Sequence, residues 1–392
     1  MKARIILIAA LAALTLLSAG CKKHQWRPEP GTPITFRAVS APAAEGESTK
    51  TVYSGQYYTL YSTPFEHIDW VEGDDMTIGY VFFNNDGGEL HGLSHGYIVS
   101  GVSSPDRSSD PGARTQASLT PAGGNGLVWQ DADNHGFYSC YPDLTQDDGF
   151  VFNIENGVVN YRLPLRFPAE QYPVTSDETS TLNLLDGTQI NCVRFAPDMK
   201  YAYMCGDNME SGFVPAGGAV NLLFDSPEFT FYEFSADSQD ADELVVNYFT
   251  LTDAANPIAG EFELIMDPLT GRDYRNKVAD LSNSVKFYFH ADKSPVTITK
   301  GTPIVFGVFA GYDEHMVSPQ LTISFNIVKG GVAVNRSLKL QQKSGDTYSW
   351  IYFNQRWKNR IYGLQIPLEA TPGSLWFEGT DAGGYDQIDW DL

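Results

Sequence analysis

From residue 33 onward the apolar residues of this chain recur with a period of two, in short runs broken by turn signals. That alternation is the mark of half-buried strands, because successive side chains on a strand point to opposite faces. PITFRAVS, MTIGYVFF, HGYIVSGV, FVFNI and GVVNYRLPLRF lie in the first half, and AVNLLF, EFTFYEFSA, ELVVNYFTL, AGEFELIMD, VKFYFHA, IVFGVFAG and LTISFNIV in the second. Aromatic and β-branched residues dominate them, which suits a pleated surface. EGDD, NNDGG, SPDRSSDPG, PAGGNG, QDDG and ENG separate the runs with turn chemistry. Few stretches carry a helical period. With 392 residues, 42% of them hydrophobic, the chain can fill more than one core. The reading is all-β, as antiparallel β-sandwich domains in tandem. No fixed internal repeat points to a propeller or solenoid. The Gly- and Asn-rich stretch MCGDNMESGFVPAGG, residues 204–218, marks a seam, giving an N-terminal sandwich over 33–208 and a C-terminal sandwich with a strand extension over 212–392.

The first 32 residues do not alternate. Lys2 and Arg4 precede an uncharged apolar run from Ile5 to Leu17, then Ser18, Ala19 and Gly20. This is the layout of a signal peptide, residues 1–20. The run is shorter than the roughly 20 residues that a membrane-spanning helix needs. Cys21 stands where the lipid-accepting cysteine of a bacterial lipoprotein signal stands, and the stretch resembles a lipobox with Ser18 in the place of the usual large apolar residue. The expectation is lipid on Cys21, an outer-membrane anchor, and a tether over 21–32 containing Pro28 and Pro30.

Lys and Arg number 26 against 48 Asp and Glu, a formal charge of −22. A nucleic-acid partner is excluded on that balance, since phosphate contacts need clustered cations. Cys140, Cys192 and Cys205 are the remaining cysteines. An odd set cannot all pair; Cys192 and Cys205 are candidates for a bridge between neighbouring strands, with buried thiols as the alternative. No nucleophile elbow, zinc motif, phosphate loop or dinucleotide fingerprint occurs, so neither catalysis nor a cofactor or metal is expected. His91 and His95 are four apart, but their setting reads as strand rather than helix. Asp74, Asp75, Asp147 and Asp148 sit in turn signals, where Asp serves local backbone hydrogen bonds. Trp129, Trp350, Trp357 and Trp376 fit either sheet cores or a sugar-stacking platform. A surface lipoprotein that binds glycans is therefore the alternative functional reading.

Several stretches, in order, resemble one family. HIDWVEGDDMTIGY (67–80), FYSCYP (137–142), PLRFPAEQ, AYMCG (202–206), AVNLLFDSPEFTFYEF and WKNRIYGLQIPLE are similar to the ordered motifs of fimbrillin-like lipoproteins, of the type V pilin superfamily. Ala202, Cys205 and Asp225 depart from those motifs. The resemblance implies two transthyretin-like, Greek-key β-sandwich domains and export as a lipidated precursor. It also implies removal of an N-terminal segment by a trypsin-like protease, and polymerisation through the groove thereby opened. The implied partners are other pilin subunits, the outer membrane through Cys21, and a host or bacterial surface receptor. Arg37 and Lys50 are the candidate processing sites. At the other end, Ile388, Trp390 and Leu392 alternate with acidic and amide residues. They form either an edge strand of the chain's own fold or a donor strand for a neighbouring subunit.

Overall fold

A computed structural model describes residues 29–40, 50–53, 68–84, 89–102, 116–155, 157–183, 189–207, 218–238, 242–267, 272–311, 319–339, 341–344, 347–350, 361–367 and 376–378. The chain opens with β1 (Phe36–Ser40), β2 (Lys50–Tyr53), β3 (Ile68–Asp69), β4 (Asp75–Asn84), β5 (Leu90–Val102), β6 (Gln116–Pro121) and β7 (Ala132–Tyr141). It continues through β8 (Val151–Glu155), β9 (Val158–Phe167), β10 (Glu170–Gln171), β11 (Thr175–Asn183), β12 (Gln189–Ala196) and, after a single 3-10 turn at Met199–Tyr201, β13 (Met204–Asp207). Next come β14 (Val220–Pro227), β15 (Thr230–Asp237), β16 (Glu243–Asp253), β17 (Ala259–Asp267), β18 (Arg272–Ser282), β19 (Ser284–Phe287), β20 (Val296–Thr299) and β21 (Ile304–Ala310). The last are β22 (Leu321–Lys329), β23 (Val332–Lys339), β24 (Gln341–Ser344), β25 (Thr347–Trp350), β26 (Ile361–Pro367) and β27 (Trp376–Glu378). The all-β expectation holds.

The alternation becomes burial directly. Along β9 the residues Val159, Tyr161, Leu163, Leu165 and Phe167 are buried and their neighbours are not. In β16 the parity slips once. Leu244 and Val246 are buried, then Phe249 and Leu251, because a bulge opposite β22 inserts one residue. β21, IVFGVFA, is buried at every position because it lies inside a sheet covered on both faces.

The strands form a closed sheet in the order β1-β14-β13-β7-β4-β5-β6, returning to β1. A second sheet runs β10-β19-β16-β22-β23, with β20 beside β16. A third runs β11-β12-β21-β15-β26-β27, and a fourth β18-β17-β9-β8. The second and third sheets face each other as a sandwich. Phe234 and Phe306 of the third interleave with Phe249 and Phe287 of the second, at ring separations of 4.4 Å for Phe234–Phe249 and 5.2 Å for Phe287–Phe306. The other core fills the closed sheet and extends outward to β8, β9 and β17.

Two details of the expected architecture need correction. Most pairing is antiparallel, as expected, but β1–β14, β10–β19, β12–β21 and β15–β26 run parallel. Turn signals report only sequence neighbours, and each of these pairs joins strands that are distant in sequence. Nor do the sheets divide at 208–212. β9 pairs with β17 and β12 with β21, so strands from both sides of that seam share sheets. The Gly-rich stretch instead connects β13 to β14, antiparallel neighbours in one closed sheet.

Candidate strand-exchange site

The closed sheet is closed by its N-terminal strand. Residues 31–34 are first clamped to the segment before β7. Gly31 N–H donates to Trp129 O (2.8 Å), Trp129 N–H to Thr32 O (2.9 Å) and Ile34 N–H to Leu127 O (2.9 Å). β1 then enters between β6 and β14. Phe36, Arg37 and Ala38 lie opposite Leu119, Ser118 and Ala117 in antiparallel register, and opposite Val220, Asn221 and Leu222 in parallel register. Val220 N–H donates to Thr35 O at 2.8 Å. Period two sends Ile34, Phe36 and Ala38 inward, with Phe36 and Ala38 fully buried, and leaves Thr35 and Arg37 exposed.

Inside, the Phe36 ring meets Tyr97 and Phe137 edge-on, both at 5.2 Å. Phe137 stacks on Tyr80 at 4.8 Å. Both tyrosine hydroxyls are satisfied by the segment that also holds residues 31–34: Leu127 N–H donates to Tyr97 Oη (2.8 Å) and Gln130 N–H to Tyr80 Oη (3.3 Å). Tyr80 Oη also pairs with His135 Nδ1 at 2.7 Å. Burial pushes the Tyr97 phenol up to about 12. The lining is therefore aromatic and neutral at ordinary pH, suited to an apolar side chain from a strand.

β1 thus contributes two things that another strand of the same pattern could supply: alternate apolar side chains, and hydrogen bonds to both neighbours. Without β1, β6 and β14 would each present an unpaired edge with the aromatic interior between them. Such an edge is a template for strand addition.

The processing candidates differ in setting. Arg37 is exposed but lies inside β1, paired on both sides. Lys50 begins β2, after a segment (41–49) outside the described residues. Cys21 and the tail residues Ile388, Trp390 and Leu392 also lie outside the described residues. The chain before that tail reaches a sheet margin: β26 pairs parallel with β15, and β27 pairs antiparallel with β26 as the outermost strand.

Other candidates are placed by the fold in structural roles. Cys192 and Cys205 lie in different sheets and are not bridged; both, like Cys140, are thiols in this structure. Cys192 lies opposite Ser180 in the third sheet and packs on Val305, whereas Cys205 lies opposite Cys140 in the closed sheet. The strands that carry Cys192 and Cys205 are not neighbours, because the 3-10 turn at Met199–Tyr201 carries the chain from one sheet to another. His91 and His95 are four apart on β5, about 13 Å along a strand; His91 stacks on Phe82, and His95 Nε2 pairs with Gly123 O at 2.8 Å. Asp74 accepts from Val71 N–H at 2.7 Å, and Asp147 from Gly149 N–H at 2.9 Å, as turn residues do. Trp129 is buried against Phe137 and His135, a core residue and not a platform; the side chains of Trp350, Trp357 and Trp376 are outside the described set. Among the described residues no cluster of His, Cys, Asp and Glu could hold a metal, and no helix is long and apolar enough to cross a membrane.

Sequence reading marks β1 as an alternating strand but does not mark its acceptor. Leu119, Tyr97 and Phe137 belong to three different strands, and their convergence depends on the closure of the sheet.

No protein-family profile and no curated protein matches the chain. Among solved structures it is similar to a provisionally named cell adhesion protein of Bacteroides uniformis, at 11% identity and TM-score 0.42, covering 93% of this chain and 100% of that one. A provisionally named cell adhesion protein of Bacteroides ovatus is similar at 8% identity and TM-score 0.42, covering 93% and 99%. The shaft pilin SpaA of Lactobacillus rhamnosus GG is similar at 9% identity and TM-score 0.22, covering 87% and 100%.

Proposed function

We propose that this chain is a structural or accessory subunit of a cell-surface fimbrium, exported as an outer-membrane lipoprotein and assembled by strand exchange. The observation that carries the reading is β1: an N-terminal strand that closes the sheet, buries Ile34, Phe36 and Ala38, and is joined onward through a small-residue segment ending at Lys50. One cut after Lys50 separates it from the rest of the fold. The vacated groove between β6 and β14 then accepts an alternating strand from another subunit, with backbone pairing for affinity and apolar side chains for register. In this reading the lipid on Cys21 holds the precursor at the outer membrane until processing, and the assembled fimbrium contributes to adhesion. The chain needs no cofactor and catalyses no reaction.

Limited trypsin digestion followed by electron microscopy tests the proposal. The chain trimmed after Lys50 assembles into filaments or ladders, while an Arg37→Gln/Lys50→Gln variant given the same treatment stays monomeric. A trimmed chain that remains a folded monomer at high concentration overturns it.

A further inference from the structure

Cys140 on β7 and Cys205 on β13 lie directly opposite each other in an antiparallel pair, in continuous register from Met204↔Tyr141 to Asp207↔Tyr138. Directly opposed residues on antiparallel strands point to the same face, with Cα atoms about 4.5–5.5 Å apart. A disulfide spans Cα separations of about 4.4–6.8 Å. Each side chain is only 1% exposed, and both belong to the same core. Their surroundings are matched: Thr77 of β4 lies opposite Cys140 on its other side, and Ser226 of β14 lies opposite Cys205. Tyr161 of β9 is fully buried in the same core. Cys192 belongs to a separate small cluster with Val305, so it does not compete.

We infer that Cys140 and Cys205 are joined by a disulfide that staples β7 to β13 when the chain folds in an oxidising compartment. The oxidant is a dithiol–disulfide exchange protein, or a small disulfide such as oxidised glutathione. One cysteine, as its thiolate, attacks a sulfur of the oxidant's disulfide, forming a mixed disulfide and releasing one oxidant thiolate. The second cysteine thiolate attacks the first cysteine's sulfur and releases the other oxidant thiolate. Two protons leave the chain, and its two electrons reduce the oxidant's disulfide to two thiols. The exchange takes place before β13 docks. In the folded state the sulfurs are buried, and burial pushes the Cys140 thiol up to about 12, so little thiolate exists there. The staple has a purpose in an exchanging fold. β13 bridges β7 and β14, and β14 loses its other partner whenever β1 leaves. A covalent β7–β13 joint keeps the rest of the sheet in register while it is open. That purpose rests on the proposed strand exchange; the bond itself does not.

The full chain is refolded from denaturant in a mixture of reduced and oxidised glutathione, blocked with an alkylating agent under denaturing conditions, digested, and analysed by mass spectrometry. The expected result is one linked peptide pair containing Cys140 and Cys205, with Cys192 alkylated. The Cys192→Ser variant retains the link, and the oxidised chain melts several degrees above the Cys140→Ser/Cys205→Ser variant. Alkylation of both Cys140 and Cys205 in a protein that has regained its β-sheet circular dichroism overturns the inference, as does a link from either of them to Cys192. Export of the chain into a bacterial periplasm with rapid thiol trapping provides a second reading. A Cys140–Cys205 link there supports the inference, and trapped thiols at both Cys140 and Cys205 in folded protein overturn it. Loss of filament assembly with the link intact bears on the strand-exchange reading alone.

Discussion

Phe36 of the first strand and Phe137 of β7 meet edge to face across the interior of the closed sheet, with ring centroids 5.2 Å apart. The two strands are not neighbours in that sheet, so the contact exists only because β1 closes it. Phe36→Ala removes the largest side chain that β1 buries. It is expected to lower stability by about 3–5 kcal/mol, whereas Arg37→Ala, on the exposed face of the same strand, stays within about 0.5 kcal/mol. Urea unfolding of the two variants checks the contrast.

A second joint lies where β10 approaches β21. Gln171 is buried; its Nε2 donates to Phe309 O at 2.7 Å, and its Oε1 accepts from Phe309 N–H at 3.0 Å. Leucine at this position keeps the bulk and strands both Phe309 groups. Gln171→Leu is expected to cost about 1–3 kcal/mol for each stranded group, read as a lower urea midpoint. Asn, which is shorter, does not restore the pair of bonds.

Gly79 of β4 lets the β8 strand approach the outside of the closed sheet. A Cβ there would stand 2.5 Å from the Phe152 ring. Gly79→Ala is expected to destabilise by about 1–3 kcal/mol through overpacking. The double variant with Phe152→Leu recovers part of that loss, and a double-mutant cycle measures the coupling.

Asp147 predicts a pH dependence. Burial raises its carboxyl, but hydrogen bonds from Arg166 and from Gly149 N–H outweigh burial and hold it below its usual 3.8. A carboxylate depressed in the folded state stabilises fully above the unfolded value and ceases to do so as pH falls through the folded one. Arg166 also reaches Glu261 at 3.1 Å, so the pair ties the turn before β8 to β9 and β17. Because the Arg166 side chain is 46% exposed, screening limits the contribution to about 1 kcal/mol or less. Asp147→Asn is expected to be less stable than the parent at pH 7, and the difference should vanish below the ordinary aspartate range. Urea titrations at several pH values check this.

The sequence makes some of this fold legible and hides the rest for identifiable reasons. β9 is readable residue by residue, because GVVNYRLPLRF alternates and both its faces do what the alternation requires. The turn roles of Asp74 and Asp147 follow from local chemistry. Pairing at a distance is what the sequence hides. β1 is plain as a strand, yet nothing within PITFRAVS states that it lies parallel to a strand nearly two hundred residues later. Cys140 and Cys205 carry no local mark of being opposite each other. The Gly-rich stretch before β14 misleads as a boundary because a long connection within one sheet and a linker between domains have the same composition.

The separability of β1 is tested most directly by peptide complementation. A chain beginning at Thr51 is mixed with a synthetic peptide of residues 31–42, GTPITFRAVSAP, and its melting temperature is followed as peptide is added. At a concentration too low for assembly, the shortened chain is expected to fold but to melt below the intact one, the peptide to bind saturably and restore the melting temperature, and the same peptide carrying Phe36→Asp to do neither. A shortened chain that melts with the intact one, or that does not bind the peptide, would contradict the separability of β1.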